Sequence, residues 1–211
     1  MNRTGLINYL IKKNNYTSYL EIGLAEGLNY RQIQCEYKES VDPFIQKDHI
    51  RYDAQFIDTL PDGIANILTY RLTSDEFFAQ NKKKYDIIFI DGLHEQYQVM
   101  KDIINALDAI TERGVILVHD CLPESEEAQL VPRQQATWNG DVWKGVAELI
   151  KQGMIMKVID TDYGIGIIRK TDNIDKVEFR PLVSTLTWQD YSENKTALLN
   201  IVSEKEFFEN D

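Results

Sequence analysis

Two short apolar runs, separated by one amphipathic segment, constrain the fold of this chain more than any other feature. Residues 85–91 read YDIIFID and residues 114–119 read GVILVH. Four consecutive apolar residues in the first run predict a strand that is covered on both faces, as in the centre of a parallel sheet. Between the runs, Val99 and Ile103 fall on one face of a helix that Gly114 is predicted to end. Strand, helix and strand in this order predict an α/β fold.

The rest of the chain repeats this alternation and predicts about seven strands in all. A hairpin closes the pattern, because the turn TDYG joins residues 154–159 to residues 164–169. We assign residues 1–170 to one domain, with an N-terminal helix within residues 1–15, and residues 171–211 to a C-terminal helical extension. The further predicted elements are helices over 4–13 (capped by Thr4), 73–80 and 141–152 (capped by Asp141) and around 188–202, and strands over 18–23, 39–42 and 67–72.

Charge and composition narrow the classes of protein to which this chain can belong. Its 23 lysine and arginine residues and 34 aspartate and glutamate residues give a formal net charge of −11. That excess of negative charge argues against nucleic acid and anionic membrane surfaces as partners, since both would repel it. No apolar run approaches the roughly 18 residues of a membrane span, and the two cysteines make no disulfide framework. We therefore expect a cytoplasmic protein, present as a monomer or as a homodimer.

The first predicted strand runs into a glycine-containing turn that reads EIGLAEG over residues 21–27. Gly23 allows a ligand to approach the backbone closely, and the helix that follows presents unpaired N–H groups. The dinucleotide pattern GxGxxG fails, because Ala25 and Leu28 stand at its second and third glycine positions. Glu21 can instead hold an ammonium group, which a dinucleotide lacks. An ordinary strand–helix turn without a ligand is the alternative.

Polar residues also end the second and third predicted strands. Asp42 lies 21 residues after Glu21, where a carboxylate can accept both hydroxyls of a ribose. Alternatively, Asp42 is a surface residue in the turn that Pro43 makes. Ser74 and Asp75 follow the third strand, where they could face the edge of an adenine, cap a helix, or do both.

Two of the three histidines follow the two central strands, each beside an aspartate. Asp91 and His94 come after the first of these strands, and His119 and Asp120 come after the second. Because the carboxyl ends of parallel strands meet at one edge of a sheet, we expect the four side chains to converge there. A lone histidine would more often be structural, but a carboxylate–imidazole cluster can act as a general base or bind a divalent metal.

The order of these motifs resembles that of the class I S-adenosylmethionine-dependent methyltransferases. The segments EIGxxxG, VDP, TSDEFF, YDIIFIDGxH and GVILVHD follow one another over about residues 16–170. More narrowly, the chain is similar to the bacterial methyltransferase-24 type, which is distantly related to catechol O-methyltransferase. The resemblance implies a Rossmann-like sheet of seven mostly parallel strands in the order 3-2-1-4-5-7-6, with strand 7 antiparallel and helices on both sides.

The same resemblance implies S-adenosylmethionine as the cofactor and assigns residues to each part of it. Those assigned residues are Glu21, Gly23, Gly27 and Asn29 around the methionine moiety, Asp42 on the ribose, Ser74 and Asp75 near the adenine, and Asp91.

The resemblance leaves the role of a metal open. In the catechol-type relatives, magnesium is held by the aspartate that ends strand 4 and by an Asp-Asn pair after strand 5. Asp91 and Asp120 match the two aspartates, whereas Cys121 stands at the asparagine position and is a poor ligand for a hard cation. His94 or His119 could complete the set for a softer metal, and we assign Asp91, Asp120 and His119 as its ligands. Without a metal, a histidine would act as the base.

We therefore predict a methyltransferase that acts on an oxygen of a small-molecule or sugar-type acceptor. His94 or His119 would be the base, and Asp91 would orient it. One alternative is a metal-dependent hydrolase that uses the Asp/His cluster. The other is a non-catalytic nucleotide-binding module on the same fold.

The long segment after the second central strand, residues 121–140, is predicted to lie over this site. Its Arg133 and Trp138 could form an acceptor pocket or a lid. Trp143 has helical spacing to Val146, so we expect it to pack in the core.

Overall fold

The computed structural model describes residues 1–44, 56–58, 67–173 and 178–210 of the chain. Within these residues the helices are α1 (Arg3–Asn14), α2 (Leu28–Gln32), α3 (Ser74–Gln80), α4 (Gln96–Ala109), α5 (Val142–Lys151), α6 (Trp188–Leu198) and α7 (Glu204–Asn210). The strands are β1 (Ser18–Ile22), β2 (Tyr37–Val41), β3 (Phe56–Asp58), β4 (Ile67–Tyr70), β5 (Tyr85–Ile90), β6 (Ile110–Val118), β7 (Lys157–Asp160), β8 (Ile165–Arg169) and β9 (Ile201–Ser203).

One sheet contains all of these strands, in the order β3-β4-β2-β1-β5-β6-β8-β7-β9. The seven strands from β4 to β7 reproduce the predicted order 3-2-1-4-5-7-6. β8 runs antiparallel to both of its neighbours, as strand 7 of that order should. The predicted fold is therefore confirmed, with two short strands, β3 and β9, added at the edges of the sheet.

The two central strands are buried on both faces, as their apolar runs predict. Ile88 and Ile90 of β5 pack with α4 and α5 on one face of the sheet, whereas Ile87 and Phe89 pack with α1 on the other. Each such side chain stabilises the fold by about 1.5–3 kcal/mol through its burial. Trp143 is fully buried in the first of these clusters, so its predicted place in the core is confirmed.

The end of α4 differs from the prediction. The helix ends at Ala109 and β6 begins at Ile110, so Gly114 lies inside a strand and does not end the helix. A Cβ atom on Gly114 would lie 2.3 Å from Ile110 Cγ1 and 2.9 Å from the carbonyl oxygen of Asp86. Close packing against β5, and not helix termination, requires the glycine here.

One predicted helix cap is wrong, and a second is correct in position only. Asn2, and not Thr4, caps α1, because its side chain accepts a hydrogen bond from the Gly5 N–H at 3.0 Å. Asp141 precedes α5 but makes no capping bond within it. Its carboxylate instead accepts a hydrogen bond from the backbone N–H of Gln96 at 2.6 Å, which ties the start of α5 to the start of α4.

The last part of the chain contributes a strand as well as helices. α6 begins at Trp188, within the predicted helix, but ends at Leu198. β9 then pairs in parallel with β7, and Phe207 of α7 packs into the apolar cluster on the α1 face. The division between residues 170 and 171 stays a prediction. Among the described residues, no helix combines the length and the apolar character that a membrane span requires.

Candidate active site

The carboxyl ends of the parallel strands meet at one edge of the sheet and line a cleft of about 1120 Å³. Single-ligand pockets usually occupy about 300–1,000 Å³, so the cleft has room for a cofactor and an acceptor. Gly27 is not in the lining; it precedes α2 with a φ of +70°. The predicted site residues that do line the cleft are Glu21, Gly23, Asn29, Asp42, Ser74, Asp75, Asp91, His94, His119 and Asp120.

Gly23 allows the ends of β1 and β5 to approach each other. Its φ is +88°, and a Cβ atom would lie 2.0 Å from the carbonyl oxygen of Asp91. No other residue type has both the conformational freedom and the lack of a side chain that this position needs. The glycine therefore lets the backbones that follow β1 and β5 pack against each other at the wall of the cleft.

Asp42 supports the turn that follows Gly23. Its Oδ2 accepts hydrogen bonds from the backbone N–H groups of Leu24 at 2.8 Å and Ala25 at 2.9 Å. Its Oδ1 accepts one from the backbone N–H of Phe44 at 2.8 Å. These bonds fix the carboxylate at the wall of the cleft, and the bond from Phe44 agrees with the alternative prediction of a turn at Pro43.

Glu21 is almost fully buried below this turn. Its Oε2 accepts hydrogen bonds from the Tyr19 hydroxyl at 2.5 Å and from the Asn29 amide at 3.1 Å. Burial raises the pKa of Glu21 to about 8, because the charged form loses water, and the negative charge of Asp91 acts in the same direction. Thr4 of α1 completes this network by donating its hydroxyl to Asn29 Oδ1 at 2.8 Å.

Ser74 and Asp75 open α3 at the far end of the cleft. Thr73, and not Ser74, caps the helix, through a capping box with Glu76. Gln98 of α4 holds both residues, since its Nε2 lies 3.1 Å from Ser74 Oγ and 3.1 Å from Asp75 Oδ1. Sequence reasoning missed Gln98, which follows no strand and carries no local signal.

The predicted aspartate and histidine cluster is present at the ends of β5 and β6. Asp91 Oδ1 lies 3.3 Å from His94 Nε2 and 3.3 Å from His119 Nδ1. Asp120 Oδ2 lies 3.3 Å from His94 Nδ1 and 3.1 Å from His119 Nδ1. Two carboxylates and two imidazoles therefore form one connected group.

Two further charged residues, both missed by sequence reasoning, enter this cluster from distant segments. Arg3 of α1 places Nη1 2.8 Å from Asp91 Oδ2 and 3.2 Å from His119 Nδ1. Asp162, in the turn between β7 and β8, accepts a bond from Arg3 Nε at 3.0 Å. His119 Nε2 lies 3.8 Å from Asp162 Oδ1, which is beyond hydrogen-bonding distance.

The charges of the cluster shift the pKa values of its members. Burial alone would lower the pKa of His119, but the nearby carboxylates, Asp91 first among them, hold it well above its ordinary value. The pKa of His94 is raised for the same reason. Burial would raise the pKa of Asp91, yet the charge of His119 keeps it well below its usual range. Each pair thus favours the charged form of both partners.

The segment after β6 lines the cleft beside the aspartate and histidine cluster with Arg133, Thr137, Trp138 and Asn139. The Trp138 ring stacks on His94, with centroids 5.1 Å apart. Asn139 is 1% exposed, and its Oδ1 is one of the few buried side-chain atoms among the described residues without a hydrogen-bond partner. His119 Nε2 is another. Buried polar atoms of this kind mark places where a ligand can supply the missing bond.

Cys121 occupies the asparagine position of the catechol-type relatives but does not face the cleft. It is fully buried, and its thiol donates to the Val118 carbonyl oxygen at 3.3 Å. Burial raises its pKa above the ordinary value for a thiol, so it stays protonated. An amide is nevertheless present near Asp120, because Asn139 Nδ2 donates to Asp120 Oδ1 at 2.6 Å.

The ligand atoms of the cluster are close enough together to bind a metal, but they already contact other charged groups. Ligand atoms of Asp91, His94 and Asp120 lie within 4.8 Å of one another, so this group contains His94 where the sequence assigned His119. However, the guanidinium of Arg3 already lies against Asp91, and both histidines face carboxylate oxygens. With Arg3 in place, these residues do not fit a divalent cation.

A family model described as a methyltransferase domain matches residues 20–121, from the middle of β1 to the end of the second histidine motif. No curated protein matches this chain.

Solved structures with the same fold come from several organisms. A protein assigned as a caffeoyl-CoA O-methyltransferase from Staphylococcus aureus is 19% identical, with a TM-score of 0.52 over 78% of this chain and 80% of that one. Cofactor-bound Rv0187 from MTB is 12% identical, with a TM-score of 0.57 over 81% and 80%. The SAH-bound methyltransferase PaMTH1 from Podospora anserina is 14% identical, with a TM-score of 0.55 over 79% and 77%. At these identities the likeness establishes the fold alone.

Proposed function

We propose that this chain, which carries a methyltransferase domain of the methyltransferase-24 family over residues 20–121, transfers a methyl group from S-adenosylmethionine to an oxygen of a small-molecule acceptor. The observation that carries this proposal is that one cleft contains two sets of residues side by side. We call the part lined by Glu21, Gly23 and Asp42 the cofactor half. We call the part lined by the aspartate and histidine cluster the acceptor half. Neither half alone would distinguish a transferase from a binding module.

The cofactor half fits an elongated, positively charged nucleoside. Gly23 lines the cleft where β1 and β5 meet, and Glu21 is a buried carboxyl without a cationic partner in hydrogen-bonding contact. We assign the ammonium group of the methionine moiety to Glu21 and Asn29, the ribose to Asp42, and the adenine to the end of the cleft where Ser74 and Asp75 lie.

His119 is our choice for the base. Its Nδ1 faces Asp91, Asp120 and the Arg3 guanidinium. Its Nε2 is buried without a hydrogen-bond partner, 3.8 Å from Asp162 Oδ1, in a residue that lines the cleft. An imidazole oriented at one nitrogen by a carboxylate presents the other nitrogen to a substrate proton. Both nitrogens of His94 are engaged, by Asp91, Asp120 and the Trp138 carbonyl.

Bound S-adenosylmethionine supplies an electrophilic methyl group on a sulfonium sulfur. The protein aligns the acceptor oxygen with that methyl group and removes its proton to His119 Nε2, so that an O–C bond forms as the S–C bond breaks. A positive charge entering the cleft is expected to lower the raised pKa of His119 and so to favour its basic form.

A polar acceptor with two neighbouring hydrogen-bonding groups suits the acceptor half best. His119 Nε2 would receive the proton of the methylated hydroxyl, and Asn139 Oδ1 would accept a bond from the adjacent group. Trp138 and Arg133 also line the cleft and would lie beside such an acceptor. A polyol or sugar-type acceptor is therefore our proposal for the substrate class.

Cofactor binding is the first test. We expect isothermal titration with S-adenosylhomocysteine to give saturable binding in the micromolar range. Both the metal-dependent hydrolase and the methyltransferase use the Asp/His cluster, but only the methyltransferase needs this ligand. No binding at up to about 1 mM ligand would contradict the proposal, since that limit corresponds to only about 4 kcal/mol of binding free energy.

The raised pKa of Glu21 predicts that binding releases a proton. Below about pH 8 the unliganded carboxyl is mostly protonated, and an ammonium ion favours its charged form. Affinity for S-adenosylhomocysteine should therefore rise with pH between about pH 6 and about pH 7.5, by up to about tenfold per pH unit. Titration in two buffers of different ionisation enthalpy measures the proton release directly.

Glu21→Gln should abolish this proton release, whereas Glu36→Gln, at an exposed position outside the cleft, should retain it. An unchanged release in Glu21→Gln would assign the proton to another group and remove Glu21 from the ammonium site.

A further inference from the structure

Arg3 is held above the cluster by a rigid element. It lies in the first turn of α1, which Asn2 caps, and Leu6, Ile7 and Leu10 of the same helix are buried against the sheet. The backbone N–H of Arg3 also donates to Asp162 Oδ2 at 2.6 Å. Packing and hydrogen bonding therefore fix the Arg3 guanidinium at the ends of β5 and β6.

The guanidinium bridges two carboxylates that come from different parts of the chain. Nη1 lies 2.8 Å from Asp91 Oδ2, and Nε lies 3.0 Å from Asp162 Oδ2. Its charge is permanent, because a guanidinium is not deprotonated in proteins. The side chain is 28% exposed, and that of Asp91 is 19% exposed, so solvent only partly screens the pair.

All four carboxylate oxygens of the proposed metal ligands face a nitrogen atom. Asp91 Oδ2 meets Arg3, and Asp91 Oδ1 meets both histidines. Asp120 Oδ1 accepts from Asn139 at 2.6 Å, and Asp120 Oδ2 again meets both histidines. A hard cation that needs several oxygen ligands would have to displace these nitrogen atoms from the carboxylates, beginning with the guanidinium of Arg3.

We propose that Arg3 is the resident cation of this cluster, that it takes the place of a divalent metal, and that it positions Asp91 against His119. The single positive charge of Arg3 lies between Asp91 and Asp162. A divalent metal at this place would bring two positive charges but not the fixed planar geometry of the guanidinium. Arg3 is thus a positioning residue. This inference is independent of the proposed function, since it concerns which cation the site holds and not what the site transforms.

Metal binding to the full chain tests the proposal. We expect no detectable Mn²⁺ binding to the wild type at micromolar metal, monitored by loss of the free-ion electron paramagnetic resonance signal. Arg3→Ala should bind Mn²⁺ at least about tenfold more tightly, because Asp91 Oδ2 then loses its guanidinium partner. Arg3→Lys should remain close to the wild type, although a single ammonium group cannot reproduce the bidentate fork.

Two further variants control for folding and for general charge. Lys12→Ala removes one positive charge from the exposed end of the same helix and should leave Mn²⁺ binding unchanged. Asp91→Asn in the Arg3→Ala background should remove the gained binding. Tight Mn²⁺ binding by the wild type, or no gain in Arg3→Ala, would overturn the proposal. Chemical denaturation of each variant reports folding, and S-adenosylhomocysteine binding separately reports the proposed function.

Discussion

Gly23→Ala is expected to destabilise the protein by roughly 2–5 kcal/mol and to abolish cofactor binding. The new Cβ atom would stand 2.0 Å from the Asp91 carbonyl oxygen, a backbone atom that cannot move without shifting the end of β5. In addition, alanine would be forced into the left-handed region at a φ of +88°. Chemical denaturation gives the change in unfolding free energy, and titration with S-adenosylhomocysteine gives the loss of binding.

Gly92→Ala provides the matched comparison for stability. A Cβ atom on Gly92 would lie 3.4 Å from Ile22 Cγ2, which is an ordinary contact, and its φ is not in the left-handed region. We expect a change below about 1 kcal/mol. Equal destabilisation by the two substitutions would mean that the close approach of β1 and β5 at Gly23 is not what the fold depends on.

His119→Ala is expected to lower kcat for methyl transfer by about 10²–10⁴-fold. The Kd for S-adenosylhomocysteine should change by no more than about threefold, because His119 lies on the acceptor side of the cleft. Added imidazole should restore part of the rate, since the substitution leaves a space of that shape open to the cleft. Single-turnover rates with and without imidazole, together with titration of S-adenosylhomocysteine, measure the two quantities.

His94→Ala distinguishes the two candidate bases. Both nitrogens of His94 are already engaged, so its loss should reduce the rate less than the loss of His119 and should not respond to imidazole. A larger effect at His94, with rescue there and none at His119, would reverse the assignment. Unchanged turnover in both variants would favour a binding module over an enzyme.

Much of the site could be predicted because the apolar runs in the sequence predict where the strands end. The apolar runs that became β5 and β6 fixed where each strand stops, and parallel pairing then brought Asp91, His94, His119 and Asp120 together. The same reasoning located Glu21 and Asp42. In each case a local pattern and one rule of sheet geometry were sufficient.

The residues that were missed enter the site through contacts between distant segments. Arg3 is separated from Asp91 by 88 residues, and it reaches the cleft only because α1 packs across the sheet. Asp162 lies in a hairpin turn. The sequence of that turn predicts the hairpin but not that Asp162 contacts Arg3. Asn139 belongs to a long loop without periodicity. No local pattern encodes such placements, since the packing of whole elements decides them.

The boundaries that were wrong also depended on tertiary contacts. Gly114 stands where a glycine would be expected to end a helix. A glycine is needed there because Ile110 and Asp86 leave no room for a side chain. The predicted helix around residues 188–202 stops at Leu198 because the next residues pair with β7 as β9. Edge strands of three residues are too short to show a period of two.

The first turn of α1 joins the two halves of the cleft mechanically. Arg3 contacts Asp91 on the acceptor side, and Thr4, the next residue, contacts Asn29 of the cofactor side. Consecutive residues of one helical turn move together. A shift of that turn on cofactor binding would move both contacts. Thermodynamic linkage then requires that any resulting change in acceptor affinity be matched by the same factor in cofactor affinity.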